Sequence, residues 1–253
     1  KEEFRFRQEK FASALETINS HNAQNAVSFH LAANKFADWT PEEYKRLLGF
    51  KNSSKKLRSN VVELPTTEVP ASVNWFTTAN PAGVSVVNGP KDQGQCGSCW
   101  AFSAVGSLEG AYAKAFGTLQ SFSELQLVEC NKFSHGCNGG LMTNGFIHWM
   151  HNAPRTEISY PYTATPAKCK EASVRTIIPE LKWGYRVDIS WQCLYEALTH
   201  NTVSVAIRAE NDDFRNYKGG VIDGEGCGQD LDHGVTLVGY NATEDAWIVK
   251  NSW

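Results

Sequence analysis

The run Gln93-Gly94-Gln95-Cys96-Gly97-Ser98-Cys99-Trp100 decides how this chain is read. Two cysteines stand three positions apart, behind a glycine-bearing approach and ahead of a helical pattern. From Ser98 to Phe116 the residues Phe102, Val105, Leu108, Tyr112 and Phe116 recur at helical intervals, which predicts a helix starting at the second cysteine. A thiol placed at a helix N-terminus meets unpaired N–H groups that favour its anion. Such a pair could also be a redox dithiol or part of a zinc site. The strand of a compact βαβ unit is missing before Cys96, and a zinc site from Cys96, Cys99, Cys130 and Cys137 lacks its usual second close pair.

His233 lies 134 positions after Cys99 and Asn251 lies 152 after it. A cysteine, a histidine and an amide at such separations are the parts of a nucleophile, its base and the group that orients the base. Three further stretches accompany them: Cys137-Asn138-Gly139-Gly140-Leu141-Met142, Leu231-Asp232-His233-Gly234 and Lys250-Asn251-Ser252-Trp253. On these four stretches the chain resembles the papain-like cysteine peptidases, and the cathepsin L branch in particular.

The resemblance implies an α+β, two-lobed fold with a helical lobe over 69–170 and a β-barrel-like lobe beyond it. It implies a cysteine endopeptidase with Cys99 as nucleophile, His233 as its base and Asn251 fixing the imidazole. Gln93 would join the Cys99 N–H in an oxyanion hole, and Trp253 would shield the His233–Asn251 bond from water. Gly139, Gly140, Leu141 and Asp232 would bind substrate. Met142, Ala206, Leu231 and Gly234 would line an apolar pocket for the residue two before the cut, favouring Phe or Leu over Arg. Disulfides Cys96–Cys137 and Cys130–Cys169 follow from the same resemblance, leaving Cys99 free. No cofactor or metal is implied. Partners would be protein or peptide substrates, and the molecule is expected to be a monomer.

Ahead of this body the sequence is helical. Phe4, Phe11, Leu15 and Ile18 predict an amphipathic helix over residues 1–22. Thr40-Pro41-Glu42-Glu43 carries a cap, a first-turn proline and a capping-box glutamate, opening a helix expected to stop at Gly49. Lys51 to Asn60 is basic and low in apolar residues, so it reads as a linker. Glu3, Arg7, Phe11, Ile18 and Asn22 resemble the motif of the family's inhibitory prosegment, with Ala14 in place of an Asn. Ala32, Asn34, Phe36 and Asp38 resemble a second prosegment motif, with Ala32 in place of a Gly. Residues 1–68 are therefore expected to be a prosegment lying backwards through the cleft, and 69–253 the peptidase. Net charge is +2 over the first part and −5 over the second.

The later part of the chain shortens into strand-like runs: Thr202–Ile207, His233–Tyr240 and Ala246–Lys250, separated by turn residues. Helices followed by strands suggest α+β rather than a doubly wound sheet. The stretch around Thr77 to Gly83 reads as an extra surface loop, and Cys193 as a buried helix thiol.

With 253 residues, 42% hydrophobic and 20% charged, the chain has ample material for a core. A net charge of −3 gives no basis for nucleic-acid binding, and no apolar run is long enough to span a membrane. Seven cysteines alone fit either a secreted disulfide protein or cytosolic redox work. The resemblance favours the first, hence a lysosome-like compartment, a vacuole or secretion, with a signal peptide ahead of this sequence. Asn52-Ser53-Ser54 and Asn241-Ala242-Thr243 are compatible with glycosylation. By resemblance the domain continues past Trp253, so an incomplete copy is expected, weak on its own and lacking the family partner of Cys227. A short form pairing Cys193 with Cys227 is the alternative.

Overall fold

The computed structural model describes residues 1–51, 71–176, 178–181, 190–224 and 227–253. The linker beyond Lys51, the sequon at Asn52 and the expected boundary at 68 lie outside the described residues.

Helix α1 (Glu2–Asn22) forms where the apolar spacing puts it. Only Ile18 of its apolar set is fully buried, against Phe29 and Leu31, while Phe4 and Phe11 stay exposed. What fastens the helix is charge. Arg7 makes a two-pronged contact with Glu43, both N–O distances 2.6 Å, and also donates to the Asp38 carbonyl. The guanidinium holds the Glu43 carboxyl down at about 2. Glu43 also accepts from the Thr40 N–H, completing the capping box of α2 (Pro41–Lys45). That helix ends four residues before Gly49, shorter than expected, because the backbone from Leu47 to Lys51 finds its partners in the body of the protein. Strand β1 (Phe29–Leu31) lies between the two helices in sequence.

The body begins with β2 (Val73–Asn74), then α3 (Cys99–Phe116), α4 (Glu124–Cys130) and α5 (Met142–Trp149). It continues through α6 (Trp191–His200), β3 (Val203–Ile207), α7 (Asp212–Arg215) and β4 (Tyr217–Gly220), and closes with β5 (His233–Asn241) and β6 (Ala246–Lys250). Trp100, Phe122, Leu127 and Trp149 fill a core among α3, α4 and α5. Trp75, Leu198, Leu237 and Tyr240 fill a second one against the sheet. Val73 and Trp75 belong to this second core, so the start of the expected helical lobe crosses to the sheet.

The sheet is antiparallel. β5 carries β3 along its first half and β2 along its second on one side, and β6 on the other. The β-barrel-like lobe of the sequence reading is corrected here: among the described residues these four strands form an open sheet, because β6 pairs with β5 alone. A separate pair joins β1 to β4, so the N-terminal segment adds a strand to the body.

Helix α3 lies unusually close to the sheet. A Cβ at Gly106 would stand 2.3 Å from the Thr236 hydroxyl, so only glycine permits the approach. Ser103 donates to the Val235 carbonyl at 2.7 Å and Ser107 meets Ser204 at 2.8 Å, which satisfies polar groups in this tight seam. The seam carries Cys99, at the start of α3, to the side of His233, at the start of β5. Disulfides join Cys96 to Cys137 and Cys130 to Cys169. Cys99 is free and buried, Cys227 free and exposed. Cys193 is also free and only partly buried, which corrects the expected buried thiol and leaves the alternative Cys193–Cys227 pair unmade.

Candidate active site

Cys99 is the first residue of α3 and has no exposed surface. Its Sγ accepts from the Gly234 N–H at 3.4 Å and from the Gly49 N–H at 3.2 Å. His233, equally buried, approaches Asn251 with Nε2 2.8 Å from Oδ1. The Ser252 N–H also donates to that oxygen at 2.8 Å, so Oδ1 is the acceptor and Nε2 carries the ring proton. Nδ1 is buried and without a hydrogen-bond partner. The Trp253 ring lies 4.7 Å from the imidazole, covering it from one side.

Gln93 is fully buried and tied at both ends of its amide. Oε1 accepts from the Ser252 hydroxyl at 2.7 Å, which turns Nε2 toward the cleft. There Nε2 donates to the Leu47 carbonyl at 2.9 Å and to the Cys96 carbonyl at 2.8 Å. Ser252 escaped the sequence reading; its place next to Asn251 was the one available signal. Beneath the site lies a buried charge cluster that spacing did not disclose. Lys91 contacts Glu109 at 3.2 Å and Glu124 at 2.8 Å, and Lys250, the neighbour of Asn251, reaches Glu109 at 3.6 Å.

The N-terminal segment passes directly over these groups. Beyond Gly49, the Phe50 N–H donates to the Asp232 carbonyl, and Gly140 pairs in parallel with Phe50 by giving its N–H to the Gly49 carbonyl and accepting from Lys51. Gly140 and Asp232 thus meet peptide backbone, and Gly139 sits so close that a Cβ on it would strike the Gly49 carbonyl at 2.6 Å. Ala206 stands opposite Gly234 in the sheet, and Met142 Sδ lies 3.3 Å from where a Gly234 Cβ would be. Phe50 packs on the same core as Ala206 and Met142. Leu141 precedes α5 as its N-cap, and Leu231 is 40% exposed.

A thiol at a helix start beside an imidazole would ordinarily titrate low. Here the opposite holds. Burial pushes the Cys99 thiol up to about 11 and the His233 imidazole down to about 4, against the help of the N–H donors and of Asn251. With the cleft covered, water solvates neither ion, and burial disfavours the charged form of each group.

Gly49 allows this cover. A Cβ there would lie 1.9 Å from the Gly97 carbonyl oxygen, a backbone atom with nowhere to go. Gly49→Ala should therefore lift the segment from Cys99, weakening its hold by about 5- to 100-fold, as overpacking costs imply. The inhibition constant of a free peptide spanning residues 1–51 against the separated body measures it; an unchanged constant would refute the close fit.

Comparison with known proteins places the chain. Residues 69–253 match the papain family cysteine proteases, and residues 1–44 match the cathepsin propeptide inhibitor domain. The chain belongs to the papain family of cysteine proteases, with a cathepsin-type propeptide domain ahead of the protease domain. It is 40% identical to the probable cysteine protease RD21B of Arabidopsis thaliana across 97% of its own length, and spans about half (53%) of that relative. It is 38% identical to a cathepsin L-like protein of Caenorhabditis elegans, covering 97% of this chain and 75% of that one. Among solved structures, digestive procathepsin L 3 from the larval midgut of Tenebrio molitor superposes with a TM-score of 0.84 at 34% identity, covering 99% of this chain and 82% of the other. The mixed helix and sheet architecture is that of papain-like proenzymes.

Proposed function

We propose that this chain is the latent form of a cysteine endopeptidase whose reaction runs on Cys99, His233, Asn251 and Gln93. Residues 1–68 act as the intramolecular inhibitor and 69–253 as the peptidase. One observation carries the reading: the segment over the cleft gives a carbonyl to Gln93 Nε2 and an N–H to Cys99 Sγ, the contacts a bound peptide would seek.

In the uncovered enzyme His233 Nδ1 takes the thiol proton and Cys99 attacks the peptide carbonyl. The oxyanion is held by Gln93 Nε2 and the Cys99 N–H, which sits at the start of α3 where no helical partner competes for it. The protonated imidazole then gives its proton to the leaving amine, and water releases the acyl group along the reverse path. Asn251 keeps the ring aligned throughout. Substrate backbone lies along Gly139, Gly140 and Asp232, and the wall of Met142, Ala206, Leu231 and Gly234 favours an apolar residue two before the cut. The two disulfides support an oxidising route, toward a lysosome-like compartment, a vacuole or the exterior. No helix among the described residues is long and apolar enough to cross a membrane. The enzyme works as a monomer.

The sign of the pH dependence follows from His233. Its value falls from an ordinary 6.5 to about 4 in the covered state, so protonation favours the open one. The contribution of this group to latency is complete above about pH 6.5 and is lost as the pH falls toward 4. Titration of the full chain with a thiol-reactive epoxide tests both the nucleophile and the cover. At pH 7.5 labelling should be slow; near pH 4.5 one equivalent should react at Cys99. No labelling of Cys99 at either pH would sink the reading.

A further inference from the structure

The N-terminal segment seats two lysines on carboxylates of the body, both on the same side of Cys99. Lys45 Nζ lies 3.0 and 3.3 Å from the two oxygens of Glu210, and Lys35 Nζ lies 2.6 Å from Asp92 Oδ2. Between them Phe36 and Tyr44 stand edge-on to Trp253, at 5.5 and 5.4 Å, and the Tyr44 hydroxyl donates to the Ala209 carbonyl. The opposite side of Cys99 is occupied by Phe50 and Lys51 along Gly140. On the peptidase reading above, the Gly140 side holds the acyl part of a substrate. Trp253, Asp92 and Glu210 then flank the path of the departing peptide.

We infer that Glu210 and Asp92, once freed from Lys45 and Lys35, select substrates with Lys or Arg in the first residues after the cut. This inference rests on the peptidase reading and names the substrate class of the same site. The segment is an intramolecular stand-in for that class, since it lays aromatic side chains on Trp253 and a cation on each rim of the channel at once. The geometry suits a flexible ammonium, whose donors reach both oxygens of Glu210. Two arginines share the neighbourhood. Arg208 lies along Gly228, and Arg215 donates to the Phe36 and Trp39 carbonyls and stacks over Tyr44. Asp212 and Asp232 are further carboxylates near Tyr44 and Glu210, and Lys91, next to Asp92 in the chain, is paired with Glu109 and Glu124. Asp232 already accepts from the Ala209 and Glu210 N–H groups, whereas Glu210 and Asp92 are the carboxylates that the segment's lysines meet.

Both pairs are solvent-exposed, so each is worth a modest factor, about two- to fivefold, and less in high salt. The experiment uses the acid-activated full chain and quenched peptides with one common acyl half and Lys, Ala or Glu in the first and second positions after the cut. The ratio of kcat/KM for Lys over Glu peptides should reach about 5- to 20-fold at low ionic strength and shrink in 0.5 M salt. Glu210→Gln and Asp92→Asn should each lower that ratio by about two- to fivefold, Asn keeping the Oδ1 that accepts from the Gly94 N–H. Equal rates for the three peptides, or a ratio that neither substitution changes, would overturn the inference while leaving the peptidase reading intact. Cleavage of none of the peptides would overturn both.

Discussion

Cys99→Ala is expected to abolish peptide hydrolysis, a loss of at least about 10⁴-fold in kcat, while the chain still folds and keeps its N-terminal segment docked. Nucleophile and base act as a unit, so removing one forfeits nearly the whole advantage of the pair. The substitution removes a sulfur held by two N–H donors, but the backbone contacts of Leu47, Phe50 and Lys51 do not involve it. Activity of acid-treated protein on a peptide with an apolar residue two before the cut reads the first effect, and the thermal transition of the full chain reads the second. Turnover within tenfold of the parent would remove Cys99 from the chemistry.

The next largest effect should come from Gln93→Ala, which is expected to lower kcat by about 10²- to 10³-fold with a much smaller change in KM. A single oxyanion donor removed from a water-poor site costs that much, because the charge it meets exists only in the transition state. Gln93 is well placed for such work: Ser252 anchors Oε1, so Nε2 cannot turn away from the cleft. The same change leaves the Ser252 hydroxyl without this partner in a buried position, and about 1–3 kcal/mol of stability should go with it. Ser252→Ala separates the two consequences, since it frees the amide to rotate without deleting the donor and should cost less in kcat than Gln93→Ala. A kcat within tenfold of the parent for Gln93→Ala would place the oxyanion elsewhere.

The dependence of latency on the N-terminal segment has a plain electrostatic content. Arg7 and Glu43 bind the segment to itself, whereas Lys35 and Lys45 bind it to the body through exposed pairs. The stronger hold on the cleft is backbone pairing through Gly49, Phe50 and Lys51, backed by Phe36 and Tyr44 on Trp253. On the proposed reading acid should act at the centre of that contact by charging His233, and salt should act at its rim.

Much of this was legible in the residues themselves. A run such as Cys96-Gly97-Ser98-Cys99-Trp100 leads into an apolar helical repeat, and the helix duly starts at Cys99. Thr40, Pro41 and Glu43 announce a helix start through local hydrogen bonding alone, and the capping box is made as expected. The strand-like runs at 202–207, 233–240 and 246–250, marked off by turn residues, form strands within a residue of those bounds. These features are local, set by neighbours within a few positions, so a linear reading reaches them.

What lay beyond that reading depends on groups far apart in sequence. The end of α2 is set not by its own residues but by body atoms that claim the backbone of Leu47 to Lys51. The close seam at Gly106 and Thr236 is invisible in a helical repeat, which marks the apolar face and is silent about a face of glycine and serine. The openness of the sheet depends on which strand edges find partners, and the residues within each strand carry no record of that. The titration of the central pair is the sharpest case. Helix position and a neighbouring imidazole argue for a thiolate, yet the folded N-terminal segment excludes water from Cys99 and His233 and the desolvation of both ions outweighs every local donor. Residue types marked the candidate groups of the site; only the tertiary structure decided that burial disfavours the charged form of each.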